Sequence, residues 1–340
     1  MYGKQEYGIE NNFDMKRIEN ISIRNFKSLE NVNIQGCKTF NLFIGRPNVG
    51  KSNIIEALSC LAIPYLYPMK KTMGTAFRIE RTSALFYNGN VASPIEINVG
   101  DYGMVITNAA SNQVNVVARH LKGEQSLGIV DLKVKKGIDE YPIFKPYHYE
   151  AHANADWHAQ VDMPFLCPWD GNNIMQVIQR NEALKQSFVE MLKEYDLQLT
   201  FDMAQQEVRV LKPLGDSSSF IIPYMALADS IKRLMFYKAA VDSNKESVLM
   251  FEELEAHAYP PYITKIVQTI IQNPSNQYFI TTHSPYVINE FLEDSSLDVA
   301  IHIVDYRGGK TVVKTLSKEE LDEVYNYGID LFFNTEAFFD

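Results

Sequence analysis

The stretch FNLFIGRPNVGKSNIIEAL, residues 40–58, carries the reading from which the rest follows. Phe40–Ile44 is a short, mainly apolar run, as expected of a strand buried on both faces. Gly45–Ser52, GRPNVGKS, fits the pattern G-x-x-x-x-G-K-[ST]. Beyond it Ile54, Ile55, Ala57, Leu58 and Leu61 recur at helical spacing until Pro64, where the pattern predicts a stop. The order is therefore strand, glycine loop, helix. Glycines let such a loop wind tightly, so that successive backbone N–H groups face inward as an anion cradle. The positive end of the following helix points at the same place. Gly45, Asn48, Val49, Gly50, Lys51, Ser52 and Asn53 form the expected phosphate-binding set. Lys51 is placed to reach β- and γ-phosphates, and the Ser52 hydroxyl to ligate Mg2+.

Two later segments end where they could face that loop. VLMFEELEAH, residues 248–257, is an apolar strand ending in acids. In open α/β sheets the ligand sits at the carboxyl edge of the strands. Glu252 is expected to hold Mg2+, directly or through water, and Glu253 to polarise an attacking water. YFITTHSPYVINEF, residues 278–291, ends its strand in Thr281, Thr282 and His283. A histidine there can donate to a γ-phosphate or to the lytic water.

Further out, Ile18, Ile21 and Ile23 lead into IRNFKSL, read as a first strand. PIEINV and QVNVVA alternate as antiparallel strands do, and NEALKQSFVEMLKEY reads as a helix. The tail returns to strands alternating with helices, with a capping box at Ser317 and Glu320. This predicts an α/β fold with a mostly parallel sheet, an antiparallel N-terminal β subdomain and an inserted mixed α/β region. The expected core is 1–100 with 211–340, and the insertion 101–210.

The 340 residues suffice for a large core, and the net charge of −10 argues against a nucleic-acid coat or a general binder of anionic membranes. Three dispersed cysteines give no disulfide framework or zinc pattern, which suggests a reduced, cytoplasmic setting. The polar first 16 residues contain no secretory h-region, and no run is long and apolar enough to span a bilayer. His148, His152 and His158 form a histidine-rich stretch whose first two members have metal-like spacing, but no third ligand supports a metal site.

Taken in order, IRNFKSL, FNLFIGRPNVGKSNIIEAL, VLMFEELEAHAYPP and YFITTHSPYVIN resemble the ABC-type P-loop ATPases of the SMC, RecF and OLD group. The resemblance is strong at both ends of the chain, and the middle, roughly residues 95–210, carries little of it. It implies binding and hydrolysis of Mg-ATP, with Asn25, Phe26 and Lys27 near the adenine side. It also implies a homodimer or higher homo-oligomer whose subunits meet head to tail, so that a signature helix of one subunit meets the γ-phosphate held by the other. The candidate signature is Ala228–Arg233, with Ser230 offering a hydroxyl and Arg233 a charge. It lacks the usual glycine. Glu252–Glu253 stands where aspartate–glutamate is usual, with Leu254 where proline is frequent. RIERTSALFYNG, Arg78–Gly89, occupies the Q-loop region without a convincing glutamine.

Stand-alone ATPases of this kind occur in bacterial anti-phage defence, in OLD-like, Septu and PARIS systems, often beside a separate nuclease or toxin. No acidic cluster of a fused Toprim nuclease is present in the sequence. The alternatives are a RecF-like clamp that binds DNA, a GTPase switch and a weakly catalytic nucleotide-bound scaffold. Asn244–Ser247 begins like a guanine motif but lacks its aspartate.

Overall fold

Gly45 follows the last residue of a strand, Phe40–Ile44, that lies inside a six-stranded sheet. In the computed structural model, residues 17–66, 72–77, 79–110, 112–120, 123–130, 133–134, 145–150, 163–205, 207–327 and 330–339 are described. The N-terminal strands are β1 (Asn20–Phe26), β2 (Leu29–Gln35) and β3 (Phe40–Ile44). The helices α1 (Lys51–Ser59), α2 (Ile63–Leu66) and α3 (Met73–Phe77) follow. Then come β4 (Ile95–Val99), β5 (Tyr102–Ala110), β6 (Gln113–His120), β7 (Gly123–Val130), β8 (Lys133–Val134) and β9 (Pro146–Tyr149). Helices α4 (Ile174–Arg180) and α5 (Glu182–Lys193) lead to β10 (Gln198–Asp202), β11 (Glu207–Pro213) and β12 (Ser219–Pro223). The remainder is α6 (Asp229–Ser243), β13 (Val248–Phe251), α7 (Pro260–Ile271), β14 (Gln277–Thr281), α8 (Pro285–Leu292), β15 (Val299–Arg307), β16 (Lys310–Thr315) and α9 (Lys318–Tyr327).

The central sheet has the order β16-β15-β3-β14-β13-β9. Five of its strands run parallel, and β16 is antiparallel at one edge. All five residues of β3 and of β14 and all four of β13 are buried, which is why these strands read as continuous apolar runs. A second, antiparallel sheet has the order β2-β1-β4-β5-β6-β7-β8, and β10-β11-β12 form a third.

Several expectations change here. IRNFKSL is not one strand: β1 ends at Phe26, and Asn25 and Lys27 take left-handed conformations at φ 57° and 47° around the turn into β2. Pro64 does not stop the helix. A 3-10 turn at Cys60–Ala62 carries the chain into α2, because a proline in the first turn of a new helical segment surrenders no needed N–H. The boundaries at 100/101 and 210/211 both fall inside sheets. Strands β5–β8 continue the N-terminal antiparallel sheet, β9 joins the central sheet beside β13, and β11 spans residue 210. The alternating segments that suggested an insertion are one meander. The capping box is present as read: the Ser317 N–H donates to Glu320 Oε2 at 2.7 Å and the Glu320 N–H to Ser317 Oγ at 3.2 Å. No helix among the described residues is long and apolar enough to cross a membrane.

Candidate nucleotide site

The parallel register sets the site. Thr281 pairs with Phe43, Phe251 with Ile280, and Ile303 with Ile44. The ends of β3, β13 and β14 are therefore level, and the segments that follow them emerge side by side at one carboxyl edge.

The loop after β3 has the geometry of an anion nest. Gly45, Asn48 and Gly50 have φ of 146°, 65° and 108°, and Gly50 precedes the first residue of α1. A Cβ at Gly45 would collide with the Val304 carbonyl oxygen, and one at Gly50 with the Thr311 and Ser28 hydroxyls. Both glycines are thus required by space as well as by conformation. The Val49 side chain is buried, and its carbonyl accepts from Thr311 Oγ1 at 2.8 Å. Asn53 donates to Ser28 Oγ at 2.7 Å. Lys51 is only 5% exposed, and its Nζ donates to the carbonyls of Gly45 at 2.9 Å and Arg46 at 2.8 Å. Burial lowers the Lys51 pKa to about 8, while the charges of Glu253 and Glu255 pull it back up. A partly desolvated ammonium beside a loop with these left-handed positions, at the start of a helix, suits an anion such as a triphosphate.

Beyond β13, Glu252 is buried and Glu253 exposed. Glu253 sits at φ 45°, an uncommon conformation for a residue with a side chain. Its N–H is held by the Thr281 carbonyl at 3.0 Å and the Thr281 hydroxyl at 3.1 Å. Beyond β14, the Thr282 N–H donates to the Phe43 carbonyl at 3.1 Å. His283 follows, with its pKa lowered by burial and by the Lys51 charge against the opposing pull of Glu253 and Glu255. Its imidazole is neutral at neutral pH, the form that can donate from one nitrogen and accept at the other. Lys51, Glu253 and His283 thus lie close enough to perturb one another.

One residue of this edge was not anticipated. Glu255 accepts from the His283 N–H at 2.5 Å and from the Thr282 hydroxyl at 2.9 Å, so one carboxylate ties the loop after β13 to the loop after β14. Its place two residues beyond Glu253 in an acidic run was the available signal. On the other side of the loop, Arg46 pairs with Asp305 at 3.1 Å and Glu336 at 3.6 Å. A cavity of about 340 Å3 lies between Gly45, Arg46, His283 and the segment bearing Asp330, Phe332 and Phe333.

Other expected residues are placed less directly. The Asn25 amide donates to the carbonyls of Asn90 and Ser93, at 3.3 and 2.6 Å, and so braces a loop. Lys27 forms an ion pair with buried Glu56 on α1 and also donates to the Phe77 carbonyl at 3.2 Å. Its charge is directed into α1, and it shares a cavity of about 690 Å3 with Ile79, Arg81 and Gly89 of the supposed Q-loop region. Arg78, His152 and His158 lie outside the described residues. Ser230, near the start of α6, accepts from the Tyr259 N–H at 2.9 Å, and Arg233 donates to the Glu253 carbonyl at 3.2 Å. Both therefore brace, within the chain, the loop that carries the acids.

A nucleotide-binding loop opposed by acids across a parallel sheet defines the class of P-loop nucleoside triphosphatases. Comparison with known proteins narrows this. Residues 15–163 match the family described as AAA ATPase domain. An ATP/GTP phosphatase of Helicobacter pylori is 22% identical, over 85% of this chain and 90% of its own length. The chromosome partition protein Smc of Methanocaldococcus jannaschii is 24% identical over 91% of this chain, which spans only 25% of that longer protein. Among solved structures, an Smc head bound to the C-terminal winged-helix domain of ScpA has a TM-score of 0.54 at 16% identity, covering 89% of this chain and 99% of that one. An Smc head with an extended coiled coil, bound to the C-terminal domain of ScpA derived from Pyrococcus furiosus, has a TM-score of 0.53 at 13% identity, covering 91% and 98%. The chain thus has an SMC-head-like fold, carries a match to the AAA ATPase domain over residues 15–163, and is similar to P-loop ATPases of the SMC/RecF-like group.

Proposed function

We propose that the chain is a Mg-ATP-driven switch whose two subunits close head to tail, and that its output is delivered by a separate effector protein in a bacterial defence-type system. The observation that carries the ATP-dependent part is the convergence of Lys51, Glu253 and His283 at one sheet edge. In this reading the loop amides and Lys51 bind the β- and γ-phosphates. Ser52 and Glu252 would hold Mg2+, which would supply charge neutralisation on the phosphates. Glu253 polarises the attacking water, and neutral His283 donates to the γ-phosphate oxygen or orients that water. Asn25 and Lys27 act on the adenine side as braces of the wall rather than through free charge.

Dimer closure is supported by the rim of the site. Tyr259, Tyr286 and Phe333 are 63%, 61% and 89% exposed, and they flank Ser230, His283 and the loop cavity. Apolar surface grouped around a polar site suits a partner. In the closed pair Ser230 and Arg233 would approach the γ-phosphate of the opposing subunit.

The decisive experiment pairs two variants. Lys51→Ala is expected to lose ATP binding by calorimetry. Glu253→Gln is expected to bind ATP, release phosphate at less than about a hundredth of the parental rate, and accumulate as a dimer in light scattering. Parental turnover by Glu253→Gln removes Glu253 as the base, and a monomer under saturating ATP removes the closing pair. Measuring phosphate release with both ATP and GTP fixes the nucleotide. A second reading, a DNA-binding repair ATPase, is favoured by the Smc relative. Tight duplex binding that weakens steeply with salt would select it.

A further inference from the structure

His148 lies on β9, the strand beside β13, in register with Met250. The residue is 1% exposed, and its Nε2 comes within 3.1 Å of Glu252 Oε1, which is itself buried. The approach is off the line of an ideal hydrogen bond, and neither ring nitrogen has a better-aligned partner. A buried imidazole without a purpose is costly. A buried carboxylate is costlier still unless a donor meets it. Glu252, brought beside His148 from a distant part of the sequence, is the acceptor within reach of that ring.

We propose that His148 is a positioning residue for Glu252. Its Nε2 sits against Oε1 and restrains the rotamer of the carboxylate that is to serve the cation. Glutamate has one more side-chain torsion than aspartate, so a glutamate serving an ion gains most from a group that holds it in one rotamer. An imidazole N–H supplies that hold through a single donor, where the several donors of lysine or arginine would engage both carboxylate oxygens. The inference rests on the reading that Glu252 serves Mg2+.

The test uses the full chain with a non-hydrolysable ATP analogue and Mn2+ as the probe, followed by electron paramagnetic resonance. His148→Phe is expected to weaken Mn2+ binding about tenfold or more. Affinity for the analogue in EDTA should be unchanged. The Mg2+ concentration for half-maximal turnover should rise, and excess Mg2+ should restore the maximal rate. His148→Gln, which keeps an N–H donor, should fall between the two. If His148→Phe binds Mn2+ within twofold of the parent while Glu252→Gln does not, the role of His148 is overturned and that of Glu252 stands. If Glu252→Gln also binds Mn2+ like the parent, the reading of Glu252 falls and His148 with it. Should His148→Phe fail to fold, His148→Met, also without a donor, decides by the same thresholds.

Discussion

His302 shows how far burial in the central sheet can move one side chain. It stacks on Phe43 with ring centroids 4.8 Å apart, and its Nδ1 lies 2.9 Å from Thr315 Oγ1. Burial pulls its pKa from 6.5 down to about 3. The unfolded chain therefore takes up a proton near pH 6.5 that the folded chain refuses, so stability falls as the pH drops between 6.5 and 3. Between pH 7 and pH 5 the loss from this group is about 2 kcal/mol. Urea unfolding at the two pH values should show it, and His302→Gln should flatten the dependence. An equal pH dependence in parent and variant would mean that His302 titrates normally. At this scale the sequence was readable where a motif constrained residue type. Gly45, Gly50 and Lys51 have conformations or burial that suit the role assigned to them. Asn25 and Lys27 were harder, because a side chain's partner depends on what packs opposite, here loop 90–93 and Glu56.

Between elements, the most consequential contact is the Glu255 clasp. It joins the turn after β13 to the turn after β14 with both carboxylate oxygens, and so couples the position of Glu253 to that of His283. Glu255→Ala should lower kcat about 10–100-fold through misplacement of His283, with little change in ATP affinity. Single-turnover rates with calorimetric binding constants test this, and Glu255→Gln, which keeps one acceptor oxygen, should lose less. A drop in ATP affinity with kcat unchanged would place Glu255 in binding instead. Strands β3, β13 and β14 were legible because burial on both faces leaves an uninterrupted apolar signature. The division between antiparallel and parallel layers was not. Alternation marks a strand and says nothing about which sheet receives it, so β5–β8 were detached from β1 and β4, and β9 from β13.

For the molecule as a whole, the central sheet is interleaved. Strand β3 near the N-terminus has β14 on one side and β15 on the other, both drawn from the far end of the chain. The AAA ATPase match at residues 15–163 therefore marks a region of sequence that does not contain the neighbours of its own nucleotide strand. A ribosome must release the chain through β15 before Phe40–Ile44 has both its neighbours, which favours slow folding and a need for chaperones. Expressed alone, residues 15–163 should be found in the pellet, with no cooperative thermal transition after refolding. A soluble fragment with native-like circular dichroism would refute this. Trimming the protein to its most recognisable segment would thus yield an aggregate rather than a minimal ATPase.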